Sequence, residues 1–192
     1  MGSPIKNNIT VVLEDQNILD LIKVDETRDK GFRALIDKYK QKLYWQIRRM
    51  VLVHDDADDV LQNTFIKVFK SIDRFEQKSS LFTWLYRIAT NETLSFLEQQ
   101  KKYQYDTVDD HQEHPAIARL KADPYFDGDE LRIKLEQVMQ SLPEKQRMVF
   151  QLRYYEELSY KEIADILETT EGALKVSYHH ALKKVEDYFK SK

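Results

Sequence analysis

Only four glycines and four prolines punctuate 192 residues, so this chain has little of the chemistry that sharp reversals need. A β-sandwich or barrel turns back every eight to twelve residues or so and would require far more such positions. Helices break seldom, and the strong helix formers that fill the intervals favour them. The predicted class is therefore all-α. The sequence has no cysteine, which removes disulfide scaffolds, thiolate zinc sites and cysteine nucleophiles, and suits a reducing cytoplasm. No apolar run is long enough to span a bilayer, and no signal-peptide pattern is present. A net charge of -3 argues against strong unaided binding to a polyanion, since non-specific affinity for nucleic acid comes from cations on phosphates. Where the charge lies then matters more than its sum.

Apolar spacing locates the helices. Phe32, Leu35, Ile36, Tyr39 and Leu43 are continued by Ile47, Met50 and Val51, with Lys38, Lys42, Arg48 and Arg49 on the other face. After a break at Val53 to Asp56, a second helix is marked by Val60, Leu61, Phe65, Val68, Phe69 and Ile72. Asp55 or Asp56 suits its N-cap. Phe75 to Ser80 reads as a loop. Trp84, Leu85, Ile88, Ala89, Leu94 and Leu97 mark a third helix that ends at Lys101 and Lys102. These helices make a first domain over residues 25–102.

Residues 103–128 carry Asp106, Asp109, Asp110, Glu113, Asp123 and Asp127 with two prolines and weak periodicity. That composition predicts a flexible acidic linker, within which Ile117 and Leu120 suit a short docked turn. A second helical domain follows over residues 129–190. Leu131, Leu135, Val138, Met139 and Leu142 open it, and Pro143 restarts the chain before Met148, Val149 and Leu152. Ser159 and Glu162 form a capping box ahead of Ile163, Ala164 and Leu167. A turn at Glu168 to Thr170 then leads to a longer helix bearing Leu174, Tyr178, Ala181, Leu182, Val185 and Phe189. Short helix, three-residue turn and longer helix describe a helix-turn-helix.

Three constellations carry chemistry. In this turn and on the last helix, Thr169, Thr170, Glu171, Gly172, Lys175, Ser177, Tyr178, His179, His180 and Lys183 are candidates for contact with DNA. Its N-terminal residues would meet base edges in a major groove, with Glu171 suited to a cytosine amino group and Lys175 to guanine. The plain alternative is a helical hairpin with a solvated polar face. The second constellation is Ser79, Ser80, Leu81, Thr83, Trp84, Arg87 and Asn91, with Lys101 and Lys102 beyond. Rings interleaved with hydroxyls and an arginine suit unpaired bases, each stacked base being worth roughly 1–3 kcal/mol. Core and rim packing explains the same aromatics equally well.

The third is the acidic head of the second helix: Asp55, Asp56, Asp58 and Asp59, followed by Val60, Gln62, Asn63 and Phe65. One or two aspartates satisfy a helix dipole at roughly 0.3–1 kcal/mol each. Four exceed that need and repel one another. An acidic rim beside an apolar, amide-bearing face suits a basic protein helix and is a poor surface for DNA. Elsewhere, His111 and His114 with Asp109 and Asp110 have ligand chemistry but no second shell to orient them, so no metal and no cofactor is expected. No catalytic set or phosphate-binding glycine loop is visible, so an enzyme is not expected.

Together, DDADDVLQNTFIKVF, SLFTWLYRIATNETLSFL and LPEKQRMVFQLRYYEELSYKEIADIL with EGALKVSYHHALKKV resemble the small two-domain extracytoplasmic-function (ECF) sigma factors of bacterial RNA polymerase. The resemblance covers roughly residues 28–102 and 130–190. It implies that the acidic helix head meets the clamp helices of the polymerase β′ subunit, with further contact to the β subunit. It also implies that the Ser79 to Asn91 stretch traps the melted minus-10 element, that the last helix reads the duplex minus-35 element, and that an anti-sigma factor is a partner. Two positions depart from the pattern. Leu81 stands where many relatives carry an aromatic, and Ser177 where many carry arginine.

Two DNA sites about two turns apart lie ~68 Å from one another. A free 25-residue coil averages only ~25–30 Å, while its extended limit is ~80–90 Å. The linker therefore reaches only when held extended, and the isolated chain is expected to shift little promoter DNA. Two rivals remain at this level: a stand-alone helix-turn-helix regulator, and a helical protein-interaction module with no DNA role.

Overall fold

A computed structural model describes residues 13–105, 115–122 and 130–190, with no strand among them. The chain divides into two compact units, residues 1–41 and 42–192.

In the first unit, α1 (Asp15–Lys23) leads through a 3-10 turn at Asp25–Thr27 into the first half of α2 (Arg28–Val51). The sequence reading passed over α1, although Ile18, Leu19 and Ile22 are buried at helical spacing. Three apolar positions in a single short helix are a weak signal. The helices meet at Gly31, where an added Cβ would stand 2.7 Å from Ile22 Cγ1 and 2.8 Å from the Ile22 backbone nitrogen. Glycine is needed there for close approach. Asp15 fastens the pair, accepting from Tyr39 Oη at 2.7 Å and from Lys38 Nζ at 2.7 Å. Burial, the Asp15 hydrogen bond and its charge hold the Tyr39 phenol well above the ordinary tyrosine range.

The second unit contains the rest of α2 and then α3 (His54–Ser71), α4 (Leu81–Tyr105), α5 (Pro115–Ala122), α6 (Glu130–Gln140), α7 (Glu144–Tyr154), α8 (Tyr160–Leu167) and α9 (Glu171–Lys190). Leu43, Ile47, Met50, Val60, Leu61, Val68 and Leu85 are buried as their spacing predicts, and Tyr86, outside that pattern, is fully buried as well. Arg48, assigned by spacing to the polar face of α2, is buried instead. At the end of α2, Leu52 adopts a left-handed φ of 69°, a conformation that costs a residue with a Cβ roughly 1–2 kcal/mol. Packing holds it there: Leu52 is buried with Ile117 and Leu120 of α5, and Ile133 of α6 lies against them.

That reversal moves the start of α3. Its N-cap is Val53, with no side-chain cap, so Asp55 and Asp56 lie inside the first turn and neither caps the helix. The segment read as linker is partly helical, since α4 runs on to Tyr105 and α5 forms around Ile117 and Leu120. Residues 106–114 and 123–129 lie outside the described residues. They include Asp106, Asp109, Asp110, Glu113, Asp123 and Asp127, as well as His111 and His114.

Near the C-terminus, Met139, Leu142, Phe150 and Ala181 form a core, with Leu135, Tyr155, Tyr178, Leu182 and Val185 packed on it. The capping box is formed: Ser159 Oγ accepts from the Glu162 N–H at 3.2 Å, and Glu162 Oε2 accepts from the Ser159 N–H at 2.8 Å. Ser159 Oγ also donates to Glu162 Oε2 at 2.6 Å, and this bond, together with the one from the Ser159 N–H, holds the Glu162 carboxyl below the usual range. Glu168, at a left-handed φ of 51°, ends α8. Thr170 Oγ1 then accepts from the Ala173 N–H at 3.3 Å at the head of α9.

Candidate functional site

Along α3, buried residues turn toward α4, with which it packs. Val60 and Thr64 face inward; Thr64 Oγ1 donates back to the Val60 carbonyl at 2.8 Å. Val60 therefore anchors the helix rather than meeting a partner. The remaining positions at alternating steps of four and three, Asp55, Asp59, Gln62, Ile66 and Phe69, are all exposed. Ile66 and Phe69 are exposed by 44% and 53%. Carboxylates thus occupy the first two turns, an amide the middle, and large apolar side chains the last turns. Asn63 and Asp58 flank this stripe on the exposed side, while Phe65 is half-buried. Asp56 is drawn toward α4, accepting from Gln100 Nε2 at 3.0 Å. The sequence reading found the acidic head but missed Ile66, whose exposure depends on which face α4 covers.

At the head of α4, Ser80 caps the helix. Its Oγ accepts from the Thr83 N–H at 3.0 Å and lies 2.9 Å from Thr83 Oγ1. Leu81 and Thr83 are buried, so neither offers a surface to a base. Half-buried Trp84 has its ring centroid 5.0 Å from that of Phe75. Ser79 is half-buried; Asn91, Lys101 and Lys102 are exposed.

Arg87 is engaged within the chain. Its Nη2 donates to the Asp165 carbonyl at 2.6 Å, and its Nη1 stands 3.2 Å from Glu168 Oε1. Both partners belong to the end of α8, which packs on α4. Nearby, Glu156 accepts from Arg49 through one oxygen and from Tyr86 Oη at 2.9 Å through the other. Gln151 Nε2 donates to the Arg49 carbonyl at 2.7 Å, the Arg49 guanidinium lies 4.7 Å from the Tyr155 ring centroid, and Lys101 Nζ is 3.1 Å from Glu144 Oε1. Residues of α7 and α8 thereby engage Arg87 and Lys101, two of the residues that the sequence assigned to unpaired bases.

On α9 the exposed face carries Glu171, Gly172, Lys175, His179, His180 and Lys183, with Thr169 and Thr170 exposed before it. Ser177 is half-buried. Tyr178 is also half-buried, packed on the C-terminal core with its ring 5.8 Å from that of Phe150; its ring therefore packs inward. Val176, exposed by 55%, stands among the polar residues; the sequence reading did not include it.

Among the described residues no helix is long and apolar enough to cross a membrane. Residues 35–103 match the family described as sigma-70 region 2, and residues 132–185 match sigma-70, region 4. The chain is 34% identical over 156 residues to the ECF RNA polymerase sigma factor SigW of Bacillus subtilis, covering 78% of this chain and 83% of that one. It is 30% identical over 182 residues to the ECF RNA polymerase sigma-E factor of Salmonella typhi, covering 91% and 94%. In fold it is similar to the sigma factor RpoE of Bartonella quintana, solved in complex with the anti-sigma factor NepR. That match has a TM-score of 0.64 and 23% identity over 84% of this chain and 98% of the other. This chain belongs to the ECF group of RNA polymerase sigma factors, which act as transcription initiation factors and carry no enzymatic activity.

Proposed function

We propose that the chain docks on core RNA polymerase through α3 and directs it to promoters, with α9 reading the minus-35 element as duplex and the head of α4 holding the minus-10 element as a melted strand. The observation that carries this reading is the exposed stripe Asp55, Asp59, Gln62, Ile66 and Phe69. Acid at one end raises on-rate and sets register against a basic partner helix, while the apolar end supplies desolvated contact area. The β′ clamp helices are the proposed partner, with the β subunit contacted elsewhere. Exposed Asn91, Lys101 and Lys102, half-buried Trp84, and Arg87 would hold the unpaired strand, with Ser79 and Ser80 at its edge.

The contacts of Arg87 with Asp165 and Glu168 bear on the free chain. Arg87 reaches a phosphate only after α8 has left, so the isolated protein holds single strands weakly and core polymerase must open it. An anti-sigma factor that favours the packed state is a further proposed partner. The deciding test is reconstitution with purified core polymerase and start-site-specific transcription across genomic fragments. Start sites absent from core alone are expected. Asp59→Lys should weaken assembly at least tenfold in a pull-down while far-UV circular dichroism stays unchanged; undiminished assembly would refute the docking face.

A further inference from the structure

We infer that Val176 reads the C5-methyl group of a thymine in the upstream element, with Gly172 providing the clearance that lets the helix approach closely. This deepens the proposed reading of that element by α9 and rests on it.

A single exposed valine needs no partner, but two features set this one apart. The first is register. Gly172, Val176 and His179 follow one another at steps of four and three on the exposed face of α9, within its first three turns. In a helix-turn-helix these are the turns that enter a major groove. The second feature is that packing within the protein does not demand a glycine at position 172, while Val176 is left 55% exposed. A Cβ added at Gly172 would meet nothing within 4 Å, and Gly172 has no left-handed φ. Glycine and β-branched valine are both poor helix formers. Two of them share one exposed face of α9, where neither is favoured by helix propensity.

An outside surface supplies the reason. Without a Cβ at Gly172, the helix backbone can approach a base edge or phosphate more closely than alanine would permit. One turn on, Val176 then sits at the depth of the base edges. The neighbouring Lys175 leans along the helix surface, its Nζ 5.6 Å from the Tyr160 ring centroid and 3.9 Å from Glu171 Oε2, and remains exposed for a contact of its own. In the row Gly172, Val176 and His179 the central side chain is apolar. Only thymine offers an apolar group on its major-groove edge.

The test uses holoenzyme assembled from core polymerase and the full chain, on a promoter recovered by selection from randomised upstream sequences. Each thymine of the upstream element is replaced singly by deoxyuridine, which removes the methyl and leaves every hydrogen bond. At one position, transcription by the wild type should fall about three- to fourfold, the effect of burying one methyl. Val176→Ala should lose sensitivity to that replacement; the residue is exposed, and a matched melting temperature confirms that the variant folds. Gly172→Ala should raise the melting temperature yet weaken initiation from all upstream sequences. If no deoxyuridine position affects the wild type, or if Val176→Ala keeps the full response, the assignment of Val176 is overturned. If scrambling the whole upstream element leaves transcription unchanged, the reading by α9 itself fails, and this inference with it.

Discussion

Replacing Glu156 by alanine tests the contact that closes the second unit. In the wild type the carboxylate accepts from Arg49 and, at 2.9 Å, from Tyr86 Oη. Its side chain is only 16% exposed and that of Arg49 28%, so screening by solvent is partial. A hydrogen bond to a charged group contributes roughly 1.5–3 kcal/mol, and two such bonds are lost. Rehydration of Arg49 and Tyr86 on opening returns part of this. A net shift of about 2–3 kcal/mol toward the open state remains, which is about 30- to 150-fold in the equilibrium. The sequence has no cysteine, so a single introduced thiol is a clean probe. Gln151→Cys places it at the buried contact with Arg49. When opening is fast relative to labelling, the labelling rate follows the open population. Adding Glu156→Ala to that background should raise the rate about 30- to 150-fold, while Glu157→Ala next to it leaves the rate alone. A change below about threefold, with the melting temperature preserved, would show that Glu156 does not hold the two segments together, since the predicted shift is at least tenfold larger.

Three further outcomes follow from the geometry. Gly31→Ala should destabilise the first unit by about 1–2 kcal/mol in urea melts, because displacing the Ile22 backbone outweighs the gain in helix propensity; a neutral or stabilising result would refute the close approach. Ser159→Ala should cost about 0.5–1 kcal/mol near neutral pH. Because the Glu162 carboxyl is depressed, the part of this contribution carried by the Ser159 Oγ bond to the carboxylate is present above the unfolded value of about 4.3 and lost as the pH falls through the lower folded value, so the difference between wild type and variant should narrow in acid to what the Glu162 N–H bond to Ser159 Oγ supplies. The Tyr39 phenol is raised, so its contribution is complete below the unfolded value of about 10 and is lost as the pH rises toward the higher folded value. Tyr39→Phe should flatten the alkaline decline in melting temperature, and an unchanged decline would count against the Asp15 bond.

What the sequence determined by itself was local. The helical period of Phe32 to Val51, the capping box at Ser159 and Glu162, and the short-helix, turn, long-helix order of α8 and α9 are properties of neighbouring residues, set by backbone geometry and visible in one dimension. The acidic head of α3 was legible for the same reason. Its assignment as an N-cap failed because Leu52 takes a left-handed conformation that only its burial with Ile117 and Leu120 sustains. The exposure of Ile66 and the burial of Val60 were settled by which face α4 covers. The engagement of Arg87 by Asp165 and Glu168 has no local signature at all. Contacts between residues roughly eighty positions apart depend on how whole surfaces fit. Steric match and charge pairing select among many arrangements of the same helices, and that selection exists only in three dimensions.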